Sequence, residues 1–194
     1  MKTDIPKRIE RSQEVSSAAA GRTGLRRITV ESSDLQDGLR EAMASVSAPV
    51  SVVTTMANGL PRGTTVSAFA SLSMGPPMVL ISLNRDSELL ATIRDTRTFG
   101  LNVLSSTQSE MALKFAQKGG VSKFVSVEWK LEGGVPRLPG TCGFAAGEVS
   151  EFVDGGDHVI LLGLVLLADG SPLPPLTYHR RSFGTHTPHV RPGT

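Results

Sequence analysis

Apolar residues recur along this chain with two periods, and the period switches several times. In SSDLQDGLREAMASV, Leu35, Leu39, Ala42, Met43 and Val46 return every three or four residues. That spacing predicts a helix over about 33–45, which Pro49 ends. Ser33, with Gln36 three residues on, has the form of a capping box. PVSVVTTM and MVLISL are short apolar runs of strand character, and NGLPRG at 58–63 predicts a turn between them. Leu89, Leu90 and Ile93 share one face of a short helix in SELLATIRD, with Asp86 or Ser87 as its cap. TFGLNVL at 98–104 predicts a strand. Thr107 and Glu110 make a second capping box, opening a helix over EMALKFAQ. Strand patterns then recur to the end in FVSVEWKLE, GFAAGEVSEFV and DHVILLGLVLLADG, the last with a bend expected at Gly163. Short helices set between closely spaced strands favour a barrel or rolled sheet over a doubly wound fold.

One segment fits neither period. Residues 63–77 read GTTVSAFASLSMGPP, with nine of the fifteen Gly, Ser, Thr or Pro, yet Val66, Phe69, Leu72 and Met74 sit among them. Gly and Pro make one continuous strand unfavourable there. Two readings follow. Short donors such as Thr65, Ser67, Ser71 and Ser73, with exposed backbone amides, can hold a flat ring or an anion without crowding it. Alternatively, the hydroxyls bond locally to the backbone of a turn.

Composition changes this picture little. A chain of 194 residues with 39% hydrophobic and 20% charged content reads as one globular domain with a sizeable core. The longest apolar run, VILLGLVLLA, is too short to span a bilayer. The N-terminus lacks an apolar signal core, so a cytoplasmic location is expected and no membrane partner. The net charge of +2 is uneven: residues 1–27 carry seven basic and three acidic residues, the rest thirteen and fifteen. The body is therefore not basic, which argues against nucleic acid as a partner. Residues 1–27 and 185–194 read as tails and 28–184 as the domain.

Candidate chemistry is sparse. GTCGFAAG has the wrong glycine spacing for a dinucleotide fingerprint, and the chain contains no phosphate loop, nucleophile elbow or HExxH. Cys142 has no histidine near it in sequence and reads as a small buried hydrophobe. The four histidines lack the spacing of a metal site, so no metal is expected. His158 follows GGD and precedes the most apolar strand, as either a turn histidine satisfied by Asp157 or a site residue.

Four segments in order, GTTVSAFASLSMGPPMVLISLNRDSELL at 63–90, TFGLNVLSSTQSEMALKFA at 98–116, GDHVILLGLV at 156–165 and PLTYHRRSF at 175–183, resemble the short-chain flavin reductase family. These are the reductase components of two-component flavin monooxygenases, and the likeness extends over roughly residues 35–184. The resemblance implies a mainly β, six-stranded split barrel with short helices, paired as a homodimer. It implies hydride transfer from NADH or NADPH to FAD or FMN, with NADH and FAD preferred, and release of reduced flavin to a separate monooxygenase by diffusion. Thr65, Val66, Ser67 and Ala68 would line the flavin ring, with Ser71 and Ser73 beside them. Asn84, Arg85 and Ser87 match the phosphate side. Phe99, Asn102 and Val103, then Lys114 and Phe115, match further cofactor contacts, and His158 a positioning residue near the nicotinamide or flavin edge. Tyr178, Arg180, Arg181 and Phe183 belong to the closing segment, where the double arginine departs from the more usual glycine. A noncatalytic flavin-binding protein or a tightly flavin-bound electron carrier of the same fold is the alternative.

Overall fold

The computed structural model describes residues 32–189. The expected start of order near Ile28 and the basic N-terminal segment lie outside the described residues, as does the end of the C-terminal segment.

Helix α1 (Ser32–Ala44) and the short strand β1 (Ala48–Pro49) lead into two antiparallel strands, β2 (Ser51–Ala57) and β3 (Leu60–Val66). Only Asn58 and Gly59 separate them, both at positive φ, the two-residue turn that Asn-Gly favours. The predicted turn at 58–63 is thus two residues long, and Leu60 to Gly63 are already strand.

After Ser67 and Ala68 the chain continues as β4 (Phe69–Met74) and returns as β5 (Pro77–Asn84). Helix α2 (Glu88–Thr96), strand β6 (Thr98–Val103), helix α3 (Ser109–Ala116) and a 3-10 turn (Gly120–Phe124) follow. A small hairpin, β7 (Lys130–Glu132) with β8 (Val135–Arg137), precedes two thirteen-residue strands, β9 (Gly143–Gly155) and β10 (His158–Gly170). The hairpin β11 (Leu176–His179) and β12 (Ser182–Thr185) pairs with β1 in a separate sheet.

The large sheet has the order β3-β2-β6-β9-β10-β5-β4. Its two outer strands, β3 and β4, are consecutive in the chain with two residues between them. The sheet therefore has to curl until its edges meet, and Ser67–Ala68 is the seam. There Ser82 donates its amide to the Ala68 carbonyl at 2.8 Å. Beyond the seam, β3 and β5 diverge and leave the barrel split. Counted as one strand bent at the seam, β3 and β4 with the other five make the six strands expected.

Two clusters fill the interior, and β2 faces both. Val53 points into the barrel with Ile81, Phe99, Leu101, Val159 and Leu161; Val50 and Val52 point outward onto Phe115, Phe124, Leu138 and Leu176. All of Ser51 to Thr55 is therefore buried, and the hydroxyls among them are bonded: Thr54 Oγ1 donates to the Pro136 carbonyl at 2.7 Å, and Thr55 Oγ1 meets Thr96 and Thr98. The register of β10 shifts at Leu162/Gly163, the expected bend. A Cβ at Gly163 would come 2.4 Å from the Phe99 ring, so close packing requires glycine there.

Three local expectations are corrected. Helix α1 begins at Ser32, so Ser33 lies inside the first turn rather than at the cap. Helix α3 starts after Gln108, not Thr107, and neither Gln108 nor Ser87 before α2 makes a side-chain cap bond. FVSVEWKLE is a strand only at Lys130–Glu132, because Phe124 closes the 3-10 turn and packs its ring against Phe115 at 4.9 Å. The apolar stripe of α1 (Leu35, Leu39, Met43) is exposed in the single chain.

Candidate functional site

A cavity of about 620 Å³ occupies the split, within the range of small-molecule sites. One wall is β3 with the seam. The other is the end of β5 with the start of α2, and the loop from Ala116 to Lys123 closes one side.

At the seam end the polar groups divide into two kinds. The Thr65 hydroxyl donates to the Ala112 carbonyl at 2.7 Å and the Thr64 hydroxyl to Phe115 at 3.3 Å, so both pin α3 against β3. They satisfy helix carbonyls and have little to offer a ligand. Ser67 and Ala68 are exposed and irregular in backbone, and neither amide donates to another group among the described residues. The expectation of local bonds to a turn backbone is corrected: the two threonines bond across to α3, while the residues just after them line the cavity with unspent donors.

Along the opposite wall, Asn84 accepts the Asp86 amide on Oδ1 at 2.8 Å and the Ser87 amide on its carbonyl at 3.0 Å. These two bonds turn the chain so that Ser87, its hydroxyl uncommitted, precedes the first turn of α2 on the cavity wall. His158 stands across from Asn84 at the start of β10 and also faces the cavity. Its Nδ1 lies 2.8 Å from Asp157 Oδ1, and this bond holds the Asp157 carboxyl below its ordinary value. A carboxylate only accepts, so Nδ1 is the donor. Asp157 thus satisfies one ring nitrogen of His158, as the turn reading expects, and the residue also lines the cavity.

The far end of the cavity is charged. Arg62, Glu88, Lys118 and Lys123 surround Gly119 and Gly120 there. Lys123 is 9% exposed and donates Nζ to the carbonyls of Gly63 at 3.2 Å and Phe115 at 2.9 Å. Burial pushes its ammonium below the usual lysine value, and the nearby Glu88 charge acts in the other direction.

Thr65, Val66, Ser67, Ala68, Asn84, Ser87 and His158 are the sequence candidates that the fold gathers on the cavity. The others lie elsewhere, each for a visible reason. Phe99 is fully buried against Gly163, and Phe115 is fully buried against Phe124. Asn102 is also fully buried: Nδ2 donates to Val52 and Pro136, and Oδ1 accepts the Leu138 amide at 2.8 Å. Val103 packs at the edge of the barrel core. Lys114 donates to the Val125 carbonyl, and Arg85 turns to the Gly156 carbonyl and Asp154, away from the cavity wall. Ser71 and Ser73 lie beyond the seam on β4, where Ser73 Oγ accepts the Gly75 amide. Tyr178, Arg180, Arg181 and Phe183 belong to the β11–β12 hairpin. There Arg180 donates its amide to the Ala44 carbonyl at 3.1 Å, and the Tyr178 and Phe183 rings stack on each other.

Sequence reading missed the charged end. Arg62 falls in the predicted turn at 58–63, and Lys123 lies between the predicted helix ending at Gln117 and the predicted strand starting at Phe124, where the sequence marks no element. The one available signal was the Gly119–Gly120 pair between Lys118 and Lys123, since both glycines take positive φ to bring that loop over β3.

Among known proteins, the model of the "Flavin reductase like domain" family matches residues 43–187. The reductase component of a 4-nitrophenol 4-monooxygenase/4-nitrocatechol 2-monooxygenase from Rhodococcus opacus is 34% identical over 150 residues, 77% of this chain and 80% of that protein. An NADH flavin reductase from Kitasatospora aureofaciens is 35% identical over 155 residues, covering 76% and 80%. Among solved structures, the NADH:FAD oxidoreductase of Streptomyces globisporus, in complex with NAD and FAD fragments, superposes with a TM-score of 0.77. It is 28% identical and covers 84% of this chain and 100% of that one.

Proposed function

This chain belongs to the flavin reductase like family, and on that premise we propose that it is an NADH-dependent flavin reductase supplying reduced FAD or FMN to a separate monooxygenase. The observation that carries the reading is the pair of unpartnered Ser67 and Ala68 amides at the seam, with His158 on the same cavity.

The residues present fit a flavin. The seam gives backbone donors without side-chain bulk, suited to the polar edge of a flat ring. The Ser87 hydroxyl, at the start of α2, and the cations of the far end suit a phosphate. When bound, flavin supplies N5 as the acceptor of a hydride from the nicotinamide C4. The chain's own contribution is alignment and polarity. The seam amides favour negative charge on the ring edge they face. His158, held by Asp157, stands as a positioning residue for the second ring. Hydride transfer between the two rings itself requires no proton to move through the protein.

The site's openness suits exchange of flavin with a diffusing pool and release to the oxygenase without a lasting complex. No helix among the described residues is long and apolar enough to cross a membrane, and use of NADH fits a cytoplasmic location. The exposed α1 stripe of Leu35, Leu39 and Met43 supports a homodimer, in which a second copy would cover it. Light scattering should then give twice the 20.5 kDa chain mass; a monomer with full flavin affinity would remove the dimer from this reading.

Steady-state oxidation of NADH and NADPH, with FAD, FMN and riboflavin added in turn, tests the proposal. The expected result is rapid NADH oxidation only when free flavin is added. A chain that retains stoichiometric flavin through purification and turns over no NADH would instead be an electron carrier of the same fold.

A further inference from the structure

The cavity is chemically asymmetric, and its charged end contains an opposition that a simple anion site would not have. A methyl group built on Gly120 would lie 3.6 Å from Glu88 Oε2 and 3.7 Å from Arg62 Nη1. The carboxylate and the guanidinium therefore border the same open space. Neither side chain forms a hydrogen bond or ion pair among the described residues. Beneath them Lys123 is more than nine-tenths buried, bonded to two neutral carbonyls and to no carboxylate. An ammonium has three donors, so one of its three remains for a ligand. The Glu88 charge lies near enough to offset part of the burial cost of Lys123 without bonding to it, and an anion arriving in the cavity would offset more.

We propose that Arg62 and Glu88 form an opposed charge pair that reads the phosphate of the ligand, with Lys123 as the fixed cation behind them. Arg62 and Lys123 attract a phosphate ester. Glu88, on the rim of the same space, repels it and holds the affinity at a level that permits release. The inference rests on the flavin reductase reading and deepens it, because a protein that hands on its product needs a limit on how tightly the product's charge is held. The phosphate could be that of FMN or FAD, or that of the nicotinamide dinucleotide, and the two sources are separable.

The test uses the full chain, Glu88→Gln, Arg62→Gln and Arg62→Lys. In the first arm each is titrated with riboflavin, FMN and FAD without nicotinamide, and the ratio of FMN to riboflavin affinity is read. Glu88→Gln should raise that ratio roughly threefold and Arg62→Gln should lower it by a similar factor, the size expected of a solvent-screened charge. Both changes should shrink at high salt, and Arg62→Lys should restore the ratio. In the second arm, KM for NADH and NADPH is measured with saturating riboflavin as acceptor. A shift confined to the first arm assigns the pair to the flavin phosphate, and a shift confined to the second assigns it to the nicotinamide nucleotide. If neither arm shifts in a folded variant, or if riboflavin affinity moves as far as FMN affinity, the pair does not read phosphate. If the parent chain binds none of the three flavins, the underlying reading fails first, and that outcome is distinct from the others.

Discussion

Ser67 and Asn102 are both small polar residues on the same barrel, and both fall in segments that resemble the cofactor contacts of flavin reductases. Their surroundings are opposite. Asn102 is fully buried on β6, and its amide group ties that strand to two others: β2 through Val52, and the β8 segment through Pro136 and Leu138. Ser67 lies where two sheet edges meet, exposed, with an amide bonded to nothing in the described chain. One residue has all its polar capacity spent on the fold, and the other has kept it. A site needs the second kind, because a group already satisfied gains little by turning to a ligand.

The largest effect expected from this contrast is on stability. Asn102→Ala leaves the buried Leu138 amide without its partner, removes a donor from the Val52 and Pro136 carbonyls and opens a small cavity, which should cost about 2–4 kcal/mol. The melting temperature should fall by roughly 5–15 °C, while the folded fraction binds flavin as before. A variant that melts normally but loses flavin would invert the comparison and place Asn102 in the site.

Ser67→Trp should do the reverse. An indole at the seam fills the space against which a ring would lie, so flavin affinity should fall at least about a hundredfold with the melting temperature nearly unchanged. Ser67→Ala keeps the amide and should change affinity by no more than about threefold. If Ser67→Trp binds flavin normally, the seam is not the cradle.

His158 sharpens the division within the site. Asp157 holds its ring, so removing the ring should disturb alignment of the second ligand more than binding of the first. His158→Ala should slow anaerobic stopped-flow reduction about tenfold, while flavin affinity shifts by less than about threefold. Unchanged reduction kinetics and unchanged nicotinamide affinity would show His158 to be a turn residue and nothing more.

Much of this fold was legible because the barrel's strands announce themselves. β2, β5, β6, β9 and β10 are apolar runs between turn residues, and the bend at Gly163 shows in sequence as a glycine inside one such run. The seam was legible as chemistry, through its density of short donors, but not as topology. That β3 and β4 sit at opposite edges of one sheet depends on pairings far apart in sequence. The site candidates that lie off the cavity do so for different reasons. Phe99 and Asn102 are fully buried on β6, where strand register sets the face, whereas Phe115 is buried on α3 against Phe124. The charged end was missed because Arg62, Glu88 and Lys123 come from three elements, and no local pattern links them.

The double arginine tests the limit of the rule drawn from Ser67 and Asn102. Arg180 is spent: its amide donates to the Ala44 carbonyl at the end of α1, and its guanidinium donates to Ser45 Oγ at 3.1 Å. Arg181 makes no side-chain bond among the described residues, yet it stands on a hairpin of the second sheet, apart from the cavity. Being uncommitted is therefore not sufficient; the group must also line the cavity that the seam and His158 share, and Arg181 instead borders a separate hollow against α1. Both residues hold positive φ, 45° and 64°, in a two-residue turn where Asn-Gly is the favoured pair. Arg181→Gly should relieve part of that strain, stabilising the chain by up to about 1 kcal/mol and raising the melting temperature by roughly 2–4 °C. Flavin affinity and nicotinamide KM should stay as they are. A loss of either, with the melting temperature raised as expected, would mean that Arg181 reaches the cavity of a second copy. The hairpin would then belong to the site through the dimer.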